Sequence, residues 1–198
     1  MLKRALILDR DGVINVDRGY VYLSDDIEFI PGIFDLCRTA RSLEMPIVVV
    51  TNQAGIGRGF YSPSHFEALC RWMQSIFEAE EAPLTRIYHC PYHPEHGVGL
   101  YRVDSEDRKP NPGMILKAQK DLGLDLGASV MVGDRETDMQ AGLRAGVGIR
   151  ILLDPTNEAA IGSSTKKVTN LRDIIALLHV LGRPDPSLGG SGHRDDHH

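Results

Sequence analysis

The sequence predicts an α/β fold, three layers around a doubly wound parallel sheet with no separate cap domain. Three observations predict it. Apolar runs too short for helices recur along the chain, amphipathic segments with helix start and stop signals alternate with them, and several runs stop abruptly on a polar residue. Strands covered by helices on both faces read as continuous apolar stretches, and β-α alternation gives a parallel sheet.

Residues 2–8 supply the first strand, entirely apolar from Ala5 to Leu8. A helix over 33–43 follows Pro31-Gly32, and "IVVV" at 47–50 is the second strand. The helix over 63–80 starts after Ser62 with proline in its first turn, and Ser64-x-x-Glu67 offers a capping box. Ile87 and Tyr88 mark a third strand, Asn111-Pro112 opens a helix that runs to Leu122, and 130–132 is a fourth strand. The helix over 136–145 stops at Gly146, and 148–152 is the fifth strand. A last helix, 171–181, is introduced by Asn170 and carries a Leu171, Ile174, Ile175, Leu178 stripe for packing on the sheet. Residues 1–182 read as a single domain; 183–198, rich in proline, glycine, serine and charge, cannot bury enough apolar surface to order itself and reads as a flexible tail.

Composition narrows the function. With 198 residues, 42% hydrophobic and 25% charged, the chain can bury a substantial core, and its net charge of -5 offers no global attraction for nucleic acid or an anionic membrane. No apolar run approaches the roughly 20 residues of a spanning helix, and the N-terminus lacks the pattern of a signal sequence. Three widely spaced cysteines, Cys37, Cys70 and Cys90, fit reduced thiols better than a disulfide framework. A cytoplasmic location is expected; the oligomeric state is not fixed by the sequence, with a monomer as the default.

The chemistry is concentrated in "ALILDRDGVIN", where a buried strand ends on two carboxylates, Asp9 and Asp11. Ligands of open parallel sheets bind at the carboxyl ends of the strands. Thr51 and Asn52 follow the second strand and Asp134 follows the fourth in the same way, so the three ends should share one site. Carboxylates gathered there repel unless a cation sits between them, and magnesium takes one or two carboxylates together with waters and phosphate. Asp9 can then attack phosphorus, Asp11 can protonate the leaving oxygen and activate water, and Thr51 and Lys109 can stabilise the phosphoryl group, with Arg108 beside them.

"DRDGVIN", Thr51, Lys109 and "GDRETD", in that order, resemble the haloacid dehalogenase superfamily of phosphohydrolases. Further stretches, "DRGYV", "VVVTNQAGIGRGFY", "HCPYHP" and "RKPNPGM", are similar to the heptose 1,7-bisphosphate 7-phosphatase family within it, whose sister is the histidinol-phosphatase domain. The resemblance implies a Rossmannoid fold, magnesium at Asp9, the Asp11 carbonyl and Asp134, nucleophile Asp9, acid/base Asp11, and phosphoryl stabilisers Thr51 and Lys109. It also implies sugar contacts from Asp17, Arg18, Gly19, Tyr20, Asn52, Gln53, Ala54, Arg108 and Arg135. A second phosphate needs cations outside the catalytic centre, and the candidates are Arg108 and Arg135, with Arg58 as a third. Removal of the 7-phosphate of a heptose 1,7-bisphosphate is the expected activity. Histidinol phosphate or another small sugar phosphate is the alternative substrate, and a non-catalytic phosphate-binding module the alternative of another class.

Only about 40 residues separate Asp9 from Thr51, too few for a cap, so closure falls to loops at 15–30, 52–61 and 91–108. The third departs from the family. Members with a structural zinc carry Cys-x-His and then Cys-x-Cys there, whereas this chain keeps Cys90 and has Tyr92, Ser105 and Asp107 at the other three positions. His89, His93 and His96 with Asp104 or Asp107 could improvise a site, but no CxxC-like pair anchors it and no zinc is expected.

Overall fold

The computed structural model describes residues 2–182; the expected tail, 183–198, lies outside the described residues. Strands β1 (Leu6–Leu8), β2 (Ile47–Asn52), β3 (Arg86–Cys90), β4 (Val130–Gly133), β5 (Ile149–Leu153) and β6 (Lys166–Val168) form one sheet in the order β3-β2-β1-β4-β5-β6. Every pairing is parallel. The helices are α1 (Ile33–Ser42), the single turn α2 (Ala54–Gly57), α3 (Pro63–Ala79), α4 (Gly113–Leu122), α5 (Glu136–Ala145) and α6 (Leu171–Leu181).

Strand side chains alternate between faces, and here both faces are dry. Leu6, Leu8, Val49 and Val132 pack with α1, α3 and α6 through Leu36, Phe77 and Ile174. Ile7, Val48, Val50 and Met131 pack on the other side with α4 and α5 through Ile115, Ala118 and Ala141. The three layers follow from that double coverage.

Four details differ from the sequence expectation. β1 is three residues, not seven, because its neighbours begin late: Leu6 is the first residue with a partner on each side, Ile47 and Val130. Lys3 instead bridges Leu124, and Leu2 is exposed. β6 lies outside any apolar run. It is an edge strand of sequence Lys-Lys-Val, and charge at an edge blocks pairing with another chain. The cap of α3 is Ser62 itself, whose hydroxyl accepts from the His65 N–H while His65 reaches back to the Ser62 N–H, so the expected Ser64-x-x-Glu67 box is displaced by two residues. Such a cap is worth about 1 kcal/mol. Finally, the loops carry short helical turns, Ser24–Asp26, α2 and Gly99–Tyr101.

Candidate active site

β1, β2 and β4 lie side by side and all end at one edge of the sheet, where the strand order reverses. A cleft of about 520 Å³ opens there, lined among others by Asp9, Asp11, Thr51, Lys109 and Asp138. Asp9 is fixed as the strand ends, its N–H donating to the Val132 carbonyl at 3.0 Å. Its Oδ1 accepts from the Arg10 N–H at 2.7 Å and from Lys109 Nζ at 2.8 Å, whereas Oδ2 accepts no hydrogen bond among the described residues. One oxygen is anchored and the other is left for chemistry.

Lys109 is buried, 2.7 Å from Asp138 Oδ1 as well, and it donates to the Val50 carbonyl at 2.8 Å. All three of its donors are therefore used. Burial works against its charge, but Asp138 and Asp9 outweigh it and hold Lys109 above its ordinary range. Asn52 places this lysine by exchanging two 3.0 Å hydrogen bonds with the Lys109 backbone.

Asp9, Asp134 and Asp138 bring carboxylate oxygens within 4.8 Å of one another. Lys109 answers two of the three, while Asp134 Oδ1 is buried without a partner among the described residues. Burial, with Asp138 and Asp134 adding to it against Lys109, pushes the Asp9 carboxyl up to about 7, and burial followed by the Asp138 charge pushes Asp134 up to about 6. An all-oxygen donor set with an orphaned buried carboxylate oxygen fits magnesium. The Asp11 carbonyl, expected to be the third ligand, receives no backbone N–H among the described residues. Gly12 is indispensable in this corner. Its φ is +87°, and a Cβ there would stand 2.2 Å from Asp134 Oδ2.

These shifts fix a sign. A carboxyl whose folded pKa is raised stabilises the fold fully below its unfolded value of 3.8, and the contribution is lost as pH rises through about 6 to 7. In a chelator, the melting temperature should therefore fall between pH 5 and 8. Magnesium, which prefers the ionised pair, should raise it by an increment that grows across the same range. Scanning fluorimetry at three pH values checks this; a magnesium increment independent of pH contradicts it.

The structure brings most of the expected site residues together. Asp17, Gly19, Tyr20, Asn52, Gln53, Ala54, Arg108 and Arg135 line the cleft with Asp9, Asp11, Thr51 and Lys109. Arg18 does not. It pairs with Glu28 on the solvent side, both side chains more than half exposed. Arg135 is paired too, 2.7 Å from Asp17 and 3.8 Å from Asp134. The Asp11 side chain stands apart from the carboxylate cluster, gripped by Arg10 at 2.7 and 2.8 Å and by Asn15 and Gln53 at 3.0 and 3.1 Å.

Residues of the site that were not anticipated include Arg10, Asn15, Tyr61, His93, Glu136, Thr137 and Asp138. Asp138 had a signal, since it closes "GDRETD" and sits in the first turn of α5, where its side chain also accepts from the Arg135 N–H. Arg10 had one as well, a cation set between two aspartates at the end of a buried strand.

Among the described residues, packing and hydrogen bonds hold the 91–108 loop. Cys90 is buried, Tyr92 packs on Tyr101 with centroids 5.9 Å apart, and Arg108 donates to the Tyr92 carbonyl at 3.1 Å. Asp107 pairs with Lys117 of α4.

Known proteins share this architecture. A family model described as HAD-hydrolase-like matches residues 107–161. The chain is 52% identical over 186 residues to the D-glycero-alpha-D-manno-heptose-1,7-bisphosphate 7-phosphatase of Burkholderia mallei, covering 93% of this chain and 98% of that one. It is 46% identical over 183 residues to the D-glycero-beta-D-manno-heptose-1,7-bisphosphate 7-phosphatase of Escherichia coli K12, covering 91% and 96%. Among solved structures, the D,D-heptose 1,7-bisphosphate phosphatase from B. bronchiseptica, complexed with magnesium and phosphate, superposes with a TM-score of 0.78 at 25% identity, covering 89% of this chain and 98% of that one. With full-length similarity at this level and the four phosphohydrolase motifs gathered around one cleft, the chain belongs to the heptose-bisphosphate phosphatase family of haloacid dehalogenase-like hydrolases.

Proposed function

We propose that this protein removes the 7-phosphate of D-glycero-α-D-manno-heptose 1,7-bisphosphate, with magnesium and without a structural zinc, to give heptose 1-phosphate. The observation that carries this reading is that the cleft beside the Asp9–Lys109–Asp138 cluster is also lined by two cationic groups with no carboxylate partner among the described residues, Arg58 and Arg108. A substrate with two separated anions suits such a cleft. The α anomer follows the name of the 52% identical relative, and the cytoplasm follows from the activity together with buried, unpaired Cys37 and Cys90.

Bound by Asp9, Asp134 and the Asp11 carbonyl, magnesium supplies the positive charge that lets an anionic nucleophile approach an anionic phosphoryl group. Asp9 Oδ2 attacks phosphorus, the bond from phosphorus to the sugar oxygen breaks, and Asp11 gives that oxygen its proton. Asp11 then takes a proton from water, the water oxygen attacks the aspartyl phosphate, and Asp9 leaves as a carboxylate. Thr51 donates to a phosphoryl oxygen. Lys109, its donors all engaged, holds Asp9 in line and offsets charge from behind. Residues 1–182 act as one domain, the loops at 15–30, 52–61 and 91–108 enclosing the substrate in place of a cap.

The distal phosphate falls to Arg58, Arg108 and His93 ahead of Arg135, which is already paired. Arg58 rests on the Tyr20 and Phe60 rings at 5.5 and 5.1 Å, a shelf that fixes its stem. His93 Nδ1 accepts from the Glu95 and His96 N–H groups at 3.2 and 3.1 Å, which leaves Nε2–H as the ring's donor. Losing a charged hydrogen bond of about 1.5–3 kcal/mol, Arg58→Met and Arg108→Met should each raise KM for the bisphosphate by roughly 10- to 100-fold with kcat little changed. Their effect on an aryl phosphate, which has no second anion, should be far smaller. Equal losses on both substrates would remove these arginines from the distal site.

A further inference from the structure

Gln53 lines the cleft yet is only 3% exposed, and every polar atom of its side chain is engaged. Nε2 donates to Thr51 Oγ at 2.8 Å and to Asp11 Oδ2 at 3.1 Å, and Oε1 accepts from the Tyr61 hydroxyl at 2.5 Å. The amide could not be turned over, because its oxygen would then face the Asp11 carboxylate. Both of its N–H groups are committed within the protein, which leaves it no donor for a sugar.

The direction of each bond matters. Thr51 Oγ accepts from Gln53, so its own proton must point elsewhere, and the cleft is the side left to it. Tyr61 O–H to Gln53 carbonyl, Gln53 N–H to Thr51 oxygen and Thr51 O–H to phosphoryl oxygen is then a chain of donors aligned in one sense, each polarising the next. Through its second N–H the same amide steadies Asp11, beside Arg10 and Asn15.

Tyr61 is built in firmly enough to direct this chain. It is 5% exposed and stacked on Tyr22 with centroids 4.9 Å apart and planes 10° from parallel. A small apolar cluster with Ile56 and Phe66 surrounds it. Its ring occupies the space that a side chain at residue 55 would need: a Cβ on Gly55 would stand 2.2 Å from Tyr61 Cε1. Burial, ahead of the neighbouring charges, pushes its hydroxyl up to about 12, which keeps it a donor throughout the working range.

We propose that Tyr61 and Gln53 are positioning residues for phosphoryl transfer: together they aim the Thr51 hydroxyl proton at the phosphoryl oxygen and hold Asp11 in its place. The proposal rests on Thr51 and Asp11 acting as described above, and it is independent of which sugar is bound.

The test is a double-mutant cycle on an aryl phosphate with magnesium, which keeps the phosphoryl centre separate from the heptose question. Tyr61→Phe, which removes one oxygen from a packed ring, should lower kcat about tenfold with KM within twofold. Gln53→Leu should lower it at least as far. In a Thr51→Val background, where there is no hydroxyl to aim, Tyr61→Phe should cost less than threefold, whereas Thr51→Ser should preserve its full effect. Melting temperatures of each protein identify any loss that comes from unfolding. If Tyr61→Phe costs the same factor in the wild-type and Thr51→Val proteins, or leaves kcat unchanged, the proposal is overturned. A failure of heptose turnover with this coupling intact would strike the substrate assignment alone.

Discussion

Asp9→Asn is expected to abolish phosphatase turnover, by roughly 10⁴-fold or more in kcat, while leaving the protein folded. The substitution keeps an oxygen that can accept from the Arg10 N–H and Lys109 as Asp9 Oδ1 now does, and it replaces Oδ2, the proposed nucleophile, by an amide nitrogen. The stability consequence runs the other way. Asp9 is 7% exposed and shares Lys109 with Asp138 while Asp134 stands close by, so a neutral side chain relieves a buried like-charge cluster. In chelator at neutral pH its melting temperature should equal or exceed that of the wild type. Retained turnover would remove Asp9 as nucleophile; a collapsed melting temperature would show that its role in the fold has been misjudged.

Lys109→Met has the largest expected effect on stability. Methionine matches the length of the stem but leaves Asp9 and Asp138 buried without their shared cation, at 2.8 and 2.7 Å from where its charge was. Orphaning a buried carboxylate costs roughly 3–5 kcal/mol, about 10 °C or more in melting temperature for a domain of this size. Turnover should be lost with it. Adding Asp138→Asn to Lys109→Met should recover part of the stability, because it removes one of the two stranded charges, and the recovery measures the coupling. Additive losses would mean that Lys109 acts on the fold by packing alone.

The sheet was readable wherever burial on both faces left an unbroken apolar run, as in 6–8, 47–50 and 130–132, and those same strands deliver Asp9, Thr51 and Asp134. β6 was not, because an edge strand of three residues with two lysines carries no apolar run and takes its register from β5. The single turn α2 was equally silent: Ala54–Gly57 contains two glycines and is held by packing around Tyr61 and not by helix propensity. In the site, sequence order pointed to the residue types proposed for the chemistry, and the fold decides whom each of them faces. Gln53 and Arg135 look alike as polar loop residues, yet one is saturated by Thr51, Asp11 and Tyr61 and the other by Asp17. Arg18, two residues before Tyr20, turns to Glu28 because the backbone between them passes through Gly19 and Tyr20 at positive φ. Side-chain direction at such a turn is set by tertiary contacts, which no local pattern encodes.

The most direct test of the central claim is kcat/KM with magnesium for the α and β anomers of heptose 1,7-bisphosphate, compared with histidinol phosphate and fructose 1,6-bisphosphate. The proposed function predicts that the α anomer leads the other three by at least about tenfold, a discrimination of about 1.4 kcal/mol in the transition state. Equal, slow turnover of all four compounds, or a lead for histidinol phosphate, would contradict it.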